Sequence, residues 1–245
     1  FSVENDEVNK LPTVPEIKSA LGNPRVTIED SKAGWADSVK TLMYSLYDGQ
    51  NVYFNYDLIR GEGARLKTMG GRASGPQPLI KLHDFIREIM HNAQGRKLTA
   101  LEAHDICNQI AEIVVVGGVR RSSQISLSDL DDEEMRHAKD WPYPIKRAMA
   151  NNSAIYRAQP SAAEFLKEWA SLALSGTGER GIFNLEAAQS KAPSRRYSPK
   201  IQGTNPCGEI MLRDMQFCNL SEVVIRADDN LDTLLDKVET ATWLG

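Results

Sequence analysis

Cysteine is scarce in this chain. Three cysteines in 245 residues cannot make a disulfide scaffold, so a reducing cytoplasm is the expected compartment. No apolar run approaches the length of a transmembrane helix and no signal peptide opens the chain, so no membrane partner is expected. Charge of one sign is not in excess either. Lys and Arg number 29 against 33 Asp and Glu, and a net charge of −4 gives no electrostatic reason for nucleic-acid binding. A hydrophobic content of 41% is ordinary for a globular protein, and the length suits one large α/β domain or two small ones.

Periodicity organises the rest. FSVEND (1–6) reads as the end of a buried strand, and residues 7–34 are rich in Pro, Gly and charge around a short β-like RVTIED. Trp35, Val39, Leu42 and Leu46 fall at helical spacing, which predicts a helix over 35–48, followed by a strand at 52–59. A further helix is expected over about 78–94. Thr99 with Glu102, and Ser161 with Glu164, are capping-box pairs that start two more. The first should bury Ala103, Cys107, Ile110 and Val114, with Cys107 in the core. The second should bury Phe165, Trp169 and Leu172. His104 lies one turn before Cys107, but no further Cys or His completes a metal site there. DLDDEEMRHAKD (129–140) reads as a solvated acidic face, CNLSEVVIRA (218–227) as a strand, and 230–243 as a helix. Helices and strands alternate without an internal repeat, so the fold class is α/β.

Two loops carry basic residues among glycines. Residues 60–76 hold five glycines with Arg60, Arg65, Lys67 and Arg72, which suits either a phosphate-binding loop or a flexible basic surface loop. Arg120 and Arg121 follow Gly117-Gly118, where paired guanidinium groups suit a phosphate or a base edge, or simply solvent.

The most informative stretch is TNPCGEIMLRDMQFCNLSE (204–222). Asn205, Cys207 and Glu209 stand two apart, so in an extended segment an amide, a thiol and a carboxylate would face one space. Pro206 lacks an N–H donor and Gly208 tolerates unusual backbone shapes, so a tight loop suits the segment better than mid-sheet. Cys218 follows eleven residues after Cys207. With no nearby His the two thiols supply only two of four zinc ligands, and no metal is expected.

With its flanking motifs, the chain resembles the catalytic subunit of ribonucleotide reductase, most closely the adenosylcobalamin-dependent class II enzymes and, among them, the monomeric branch that reduces triphosphates. FSVE (1–4), GARLKTMGGRASGP (63–76), GGVRRSSQISLSDLDD (117–132), GERGIFN (178–184), NPCGEI (205–210) and FCNLSEVV (217–224) carry the resemblance in order. It implies part of a ten-stranded α/β barrel with a central finger loop bearing the radical cysteine. Cys207 matches that cysteine, which takes the 3′ hydrogen of the ribose as a thiyl radical. Glu209 matches the base for the 3′-hydroxyl, Asn205 the amide that binds the ribose hydroxyls, and Cys218 one of the two reducing thiols. Arg120, Arg121, Arg65 and Lys67 fall in loops that link a deoxynucleotide effector to the substrate base. Adenosylcobalamin and a thioredoxin-like reductant are implied as well.

Both termini read as cut, so a fragment of the catalytic barrel is expected across 1–245, with a class-specific insertion near 13–59. The partner of Cys218 is then expected before Phe1, and the piece by itself inactive. Two other readings use the same residues. A class I large subunit would take its radical from a separate subunit, and a regulatory nucleotide-binding module would not need Cys207.

Overall fold

A computed structural model describes residues 1–18, 25–66, 71–116, 119–120, 123–195, 197, 200–218 and 220–244. Its centre is a parallel sheet of β5 (Gln124–Asp129), β6 (Ala150–Tyr156) and β7 (Gly181–Asn184), with β6 in the middle. Ser2 bridges Leu127 in parallel, so residues 1–3 extend the β5 edge as the strand-like FSVEND anticipates, whereas Asn5 and Asp6 of that run instead begin the short helix α1 (Asn5–Val8). Parallel neighbours need a crossover, and α6 (Ala162–Leu174) supplies it between β6 and β7.

Alternation gives the sheet two unlike faces. Ile125, Leu127, Ile155 and Phe183 form an apolar cluster with Leu185 and Ile201. Ser126, Ser128 and Asn152 are buried on the opposite side. The apolar face receives α7 (Leu185–Lys191) and an antiparallel hairpin of β8 (Ile201–Thr204) and β9 (Met211–Arg213).

The N-terminal half has its own core. Strands β1 (Arg25–Thr27) and β2 (Tyr53–Asn55) pair in parallel around α2 (Lys32–Tyr47), and α3 (Gln77–Asn92) packs against that helix. Leu42, Leu46, Leu79, Leu82, Ile86 and Met90 are sealed between them. The expected helices over 35–48 and 78–94 are therefore present, while the strand at 52–59 is shorter than the sequence suggests.

This core also contains a closed polar relay. The Ser38 hydroxyl donates to Trp35 O at 2.7 Å, so it accepts from His83 Nε2 at 3.1 Å. That leaves His83 Nδ1 to accept from the Tyr56 hydroxyl at 2.7 Å, which sets the neutral tautomer. Burial, then the nearby Arg87 charge, lowers the His83 pKa from 6.5 to about 3. The folded value is depressed, so the unfolded chain binds this proton first. The contribution of His83 is whole above 6.5 and is lost as pH falls toward about 3. Urea unfolding is expected to show a loss of roughly 2–3 kcal/mol from this site between pH 7 and about 4.5. His83→Gln should remove that share of the slope, and an unchanged slope contradicts the assignment.

α4 (Ala100–Glu112) starts at the expected capping box, with Glu102 N bonded to Thr99 Oγ1 and Thr99 N to Glu102 Oε2. Its buried face differs from the expected stripe. His104, Asp105, Ile106 and Asn108 are buried, Cys107 is half-buried, and Ile110 and Val114 are exposed. The reason is polar pairing. Asp105 takes a bidentate bond from Arg147 at 2.8 and 2.9 Å, and Asn108 links His104 to Gln124 of β5. Burial pushes the Cys107 thiol up, toward the inert form.

Three further expectations are corrected. The acidic run 129–140 is solvated only in part: Asp131, Glu133 and Glu134 are exposed as expected, but α5 (Glu133–Arg136) buries Met135 and Arg136, and Ala138 and Lys139 follow them inside. In α6 the capping box of Ser161 and Glu164 forms, but Phe165 and Trp169 are exposed and stack on each other at 6.2 Å. The helix is turned so that Glu168 meets Arg136 and Arg180 beneath the sheet. Residues 218 and 220–226 form no strand, because no described strand pairs with them, and Leu220 and Ile225 lie exposed. The final helix, α8 (Leu231–Leu244), is present as expected. Among the described residues no helix is long and apolar enough to cross a membrane.

Candidate functional site

The NPCGE motif caps the β8–β9 hairpin. Ile201 joins the apolar cluster of the sheet, with Met211 packed against it. Gly203 lets the hairpin lie close, since a Cβ there would sit 3.3 Å from Leu127 Cδ1. At the tip, Gly208 N bonds Asn205 O at 3.0 Å, closing a four-residue turn with Pro206 and Cys207 at its centre. Gly208 has φ +87°, a conformation that favours glycine.

This turn breaks the extended alternation that would send three side chains to one space. Cys207 and Glu209 are exposed at the tip, whereas Asn205 is only 3% exposed. The Asn205 side-chain oxygen, Oδ1, accepts from Ile210 N at 3.0 Å, and Asn205 N donates to Ile210 O at 3.1 Å. The Thr204 hydroxyl donates to the same Ile210 carbonyl at 3.1 Å. Asn205 is thus first a clamp across the hairpin. Asn205→Ala is expected to speed hydrogen exchange at Ile210 by about fivefold, the equivalent of ~1 kcal/mol for one lost bond. Asn205→Asp keeps the acceptor and should keep the protection; equal exchange in both variants contradicts the clamp.

A bond from outside the motif also reaches the turn. Asn151 Nδ2, on β6, donates to Pro206 O at 2.7 Å. Neither Asn151 nor Thr204 stands out in a reading of periodicity. The signal available for Asn151 was an amide pair, Asn151-Asn152, near the start of a strand that ends on Ala154, Ile155 and Tyr156. Cys218 lies beyond β9 and is half-buried, and Cys107, Cys207 and Cys218 are all free thiols.

The basic loops are described in part. Residues 60–66 and 71–76 form a small hairpin with Arg65 paired across to Arg72 and Leu66 N bonded to Gly71 O at 3.1 Å. Arg72 bonds Gly63 O and Arg60 bonds Asp30, while Arg65 is exposed. Arg120 lies in β4 (Val119–Arg120), paired with β3 (Val115–Val116). Lys67 and Arg121 lie outside the described residues. The side-chain bonds of Arg60 and Arg72 therefore go to Asp30 and to Gly63 O, not to the turn that bears Cys207. The described residues also contain no group of three or more His, Cys, Asp or Glu able to hold a metal ion.

The profile of the family "Ribonucleotide reductase, barrel domain" matches residues 117–242, just over half of the chain. The adenosylcobalamin-dependent ribonucleoside-triphosphate reductase of Lacticaseibacillus paracasei is 39% identical over 172 residues, covering 67% of this chain and 22% of that protein. The protein of the same name from Lactobacillus leichmannii is 32% identical over 215 residues, covering 80% of this chain and 28% of its own length. A crystal structure of B12-dependent (class II) ribonucleotide reductase superposes with a TM-score of 0.73 at 25% identity, covering 87% of this chain and 34% of that one. The chain therefore spans about a quarter of the length of the curated relatives it matches. With the parallel sheet, the NPCGE hairpin and the profile falling on the same residues, the chain belongs to the ribonucleotide reductase barrel-domain family.

Proposed function

We propose that this chain carries the radical-site portion of an adenosylcobalamin-dependent ribonucleoside-triphosphate reductase. The observation that carries the reading is an exposed thiol, Cys207, at the tip of a hairpin tied to the sheet at its base and its turn. In the whole protein the sheet would be part of a ten-stranded barrel and the hairpin its finger loop. Residues near 13–59 would be a class-specific insertion; their side chains share a core with α3.

In this reading Cys207, as a thiyl radical, takes the 3′ hydrogen atom: an S–H bond forms as the C3′–H bond breaks. Glu209 accepts the 3′-hydroxyl proton, a role its exposed carboxylate permits. The oxygen of Asn205 is committed to the hairpin, so its Nδ2 is the group that donates to a ribose hydroxyl. The 2′ C–O bond then breaks and water leaves with a proton from the reducing thiols. Cys218 and a second thiol supply two electrons and two protons and close into a disulfide. C3′ regains its hydrogen from Cys207, and Glu209 returns the proton to the 3′ oxygen. The sum is ribonucleotide plus dithiol giving deoxyribonucleotide, disulfide and water, and a thioredoxin-like reductant restores the dithiol.

Adenosylcobalamin supplies the initiating radical in this scheme. Two grooves among the described residues, about 390 and 340 Å³, do not fit it: both are open and near the lower end for a drug-sized ligand, too small to enclose a corrin. The chain's own chemistry is therefore confined to Cys207, Glu209, Asn205 and Cys218. Arg120, Arg121, Arg65 and Lys67 would serve the deoxynucleotide effector, a reading supported by the exposure of Arg65 beside two engaged arginines.

The test uses the full-length protein with dithiothreitol as reductant. Conversion of CTP to dCTP is expected only when adenosylcobalamin is added. Turnover that instead requires a separate radical subunit contradicts the class, and no turnover under either condition contradicts the reductase.

A further inference from the structure

The turn that presents Cys207 is held by a group outside the motif, and the geometry says what that group controls. Asn151 is the exposed position in β6, whose other residues are buried. It pairs in register with Ile125 of β5, so it stands on the rigid middle strand of the sheet. Its Nδ2 reaches Pro206 O, the carbonyl of the peptide that joins Pro206 to Cys207.

That peptide is the central one of the turn closed by Gly208 N and Asn205 O. Such a turn has two alternatives that differ by a flip of the central peptide, and the flipped form needs a positive φ at its third residue. Cys207 occupies that position, and among the described residues Met215 is the sole non-glycine with positive φ. The observed turn is therefore the unflipped one, with the Pro206 carbonyl pointing at Asn151. The plane of this peptide fixes the backbone at Cys207 and hence the direction of its Cα–Cβ bond.

We infer that Asn151 is a positioning residue for Cys207, holding the Pro206–Cys207 peptide plane so that the thiol keeps one direction relative to the sheet. The inference rests on the proposed role of Cys207 and adds to it a residue 56 positions earlier in the chain. The hydrophobic contacts of Ile201 and the close approach at Gly203 set the hairpin base against the sheet, but neither reaches the tip. Hydrogen abstraction depends steeply on placement, since an error near 1 Å can cost about 10²-fold in rate.

The experiment compares Asn151→Asp, Asn151→Ala and Asn151→His in the full-length protein under the CTP assay with adenosylcobalamin. Asp keeps the shape and loses the donor, whereas His returns an N–H at the δ position. Asp and Ala are expected to lower kcat by about 10- to 100-fold with KM within about twofold, and His to retain more than about a third of kcat. Alkylation by iodoacetamide, read by mass spectrometry, should change in rate at Cys207 and not at Cys218 in the Asp variant. An unchanged kcat in Asn151→Asp overturns the inference. So does a loss confined to KM, a His variant as poor as Ala, or a loss that tracks a lowered melting temperature in all three. Turnover surviving in Cys207→Ser would instead overturn the reading of Cys207 on which the inference stands.

Discussion

Arg180→Met is expected to destabilise the chain by about 3–5 kcal/mol, a large part of the whole stability of an ordinary domain. Arg180 is 2% exposed and sits where β7 begins. Its guanidinium grips Glu168 through two bonds of 2.7 and 3.1 Å. The remaining donors reach Ser128 Oγ and the carbonyls of Asp129 and Leu130, each at 2.8 Å. One side chain thus ties α6 to the end of β5 across the polar face of the sheet. Arg136 adds a third bond to Glu168, at 2.9 Å.

Burial by itself would raise the Glu168 pKa, and the two arginines more than reverse it, so its carboxyl lies below the usual carboxylate range. A depressed folded pKa means the pair stabilises above the unfolded value of 4.5, and that stability is lost as pH falls through the folded value. Met in place of Arg180 leaves Glu168 buried with half of its compensation, while the Leu130 and Asp129 carbonyls keep only their bonds from Arg136 and from Asp132 N. Urea unfolding of Arg180→Met, Glu168→Leu and the double variant measures this. The double variant should cost less than the sum of the singles, because it removes the stranded charge. Strict additivity would mean that the two residues act independently.

This network also explains where sequence reading succeeded and where it stopped. The spacing of Phe165, Trp169 and Leu172 shows that they share a side of α6 with a strong apolar character. It cannot show that the helix turns that side outward so that Glu168 can meet two arginines. The same limit applies to α4, where Asp105 and Asn108 face inward to pair with Arg147 and Gln124. Periodicity reports which residues share a face, and buried ion pairs decide which face turns in. Local chemistry was more legible. Thr99 with Glu102 and Ser161 with Glu164 start helices as their side chains dictate, and Pro206 and Gly208 announce the turn at Cys207. Residues 218 and 220–226 have strand-like composition but no strand among the described residues to complete their hydrogen bonds. Asn151 was illegible because its role depends on a contact 55 residues away, between a strand and a turn that only the folded sheet brings together.

The central claim is that the Cys207 thiol does the chemistry, and Cys207→Ser tests it most directly. Serine keeps the size and the turn, but its O–H bond is too strong to yield the radical that the reaction needs. In the full-length protein with CTP, dithiothreitol and adenosylcobalamin, dCTP formation should fall by more than about 10³-fold, as when an essential group of a catalytic unit is removed. Cys107→Ser, at a half-buried thiol on α4 whose pKa burial raises, is the control and should stay near the parent rate. A Cys207→Ser protein that still makes dCTP at the parent rate would contradict the account.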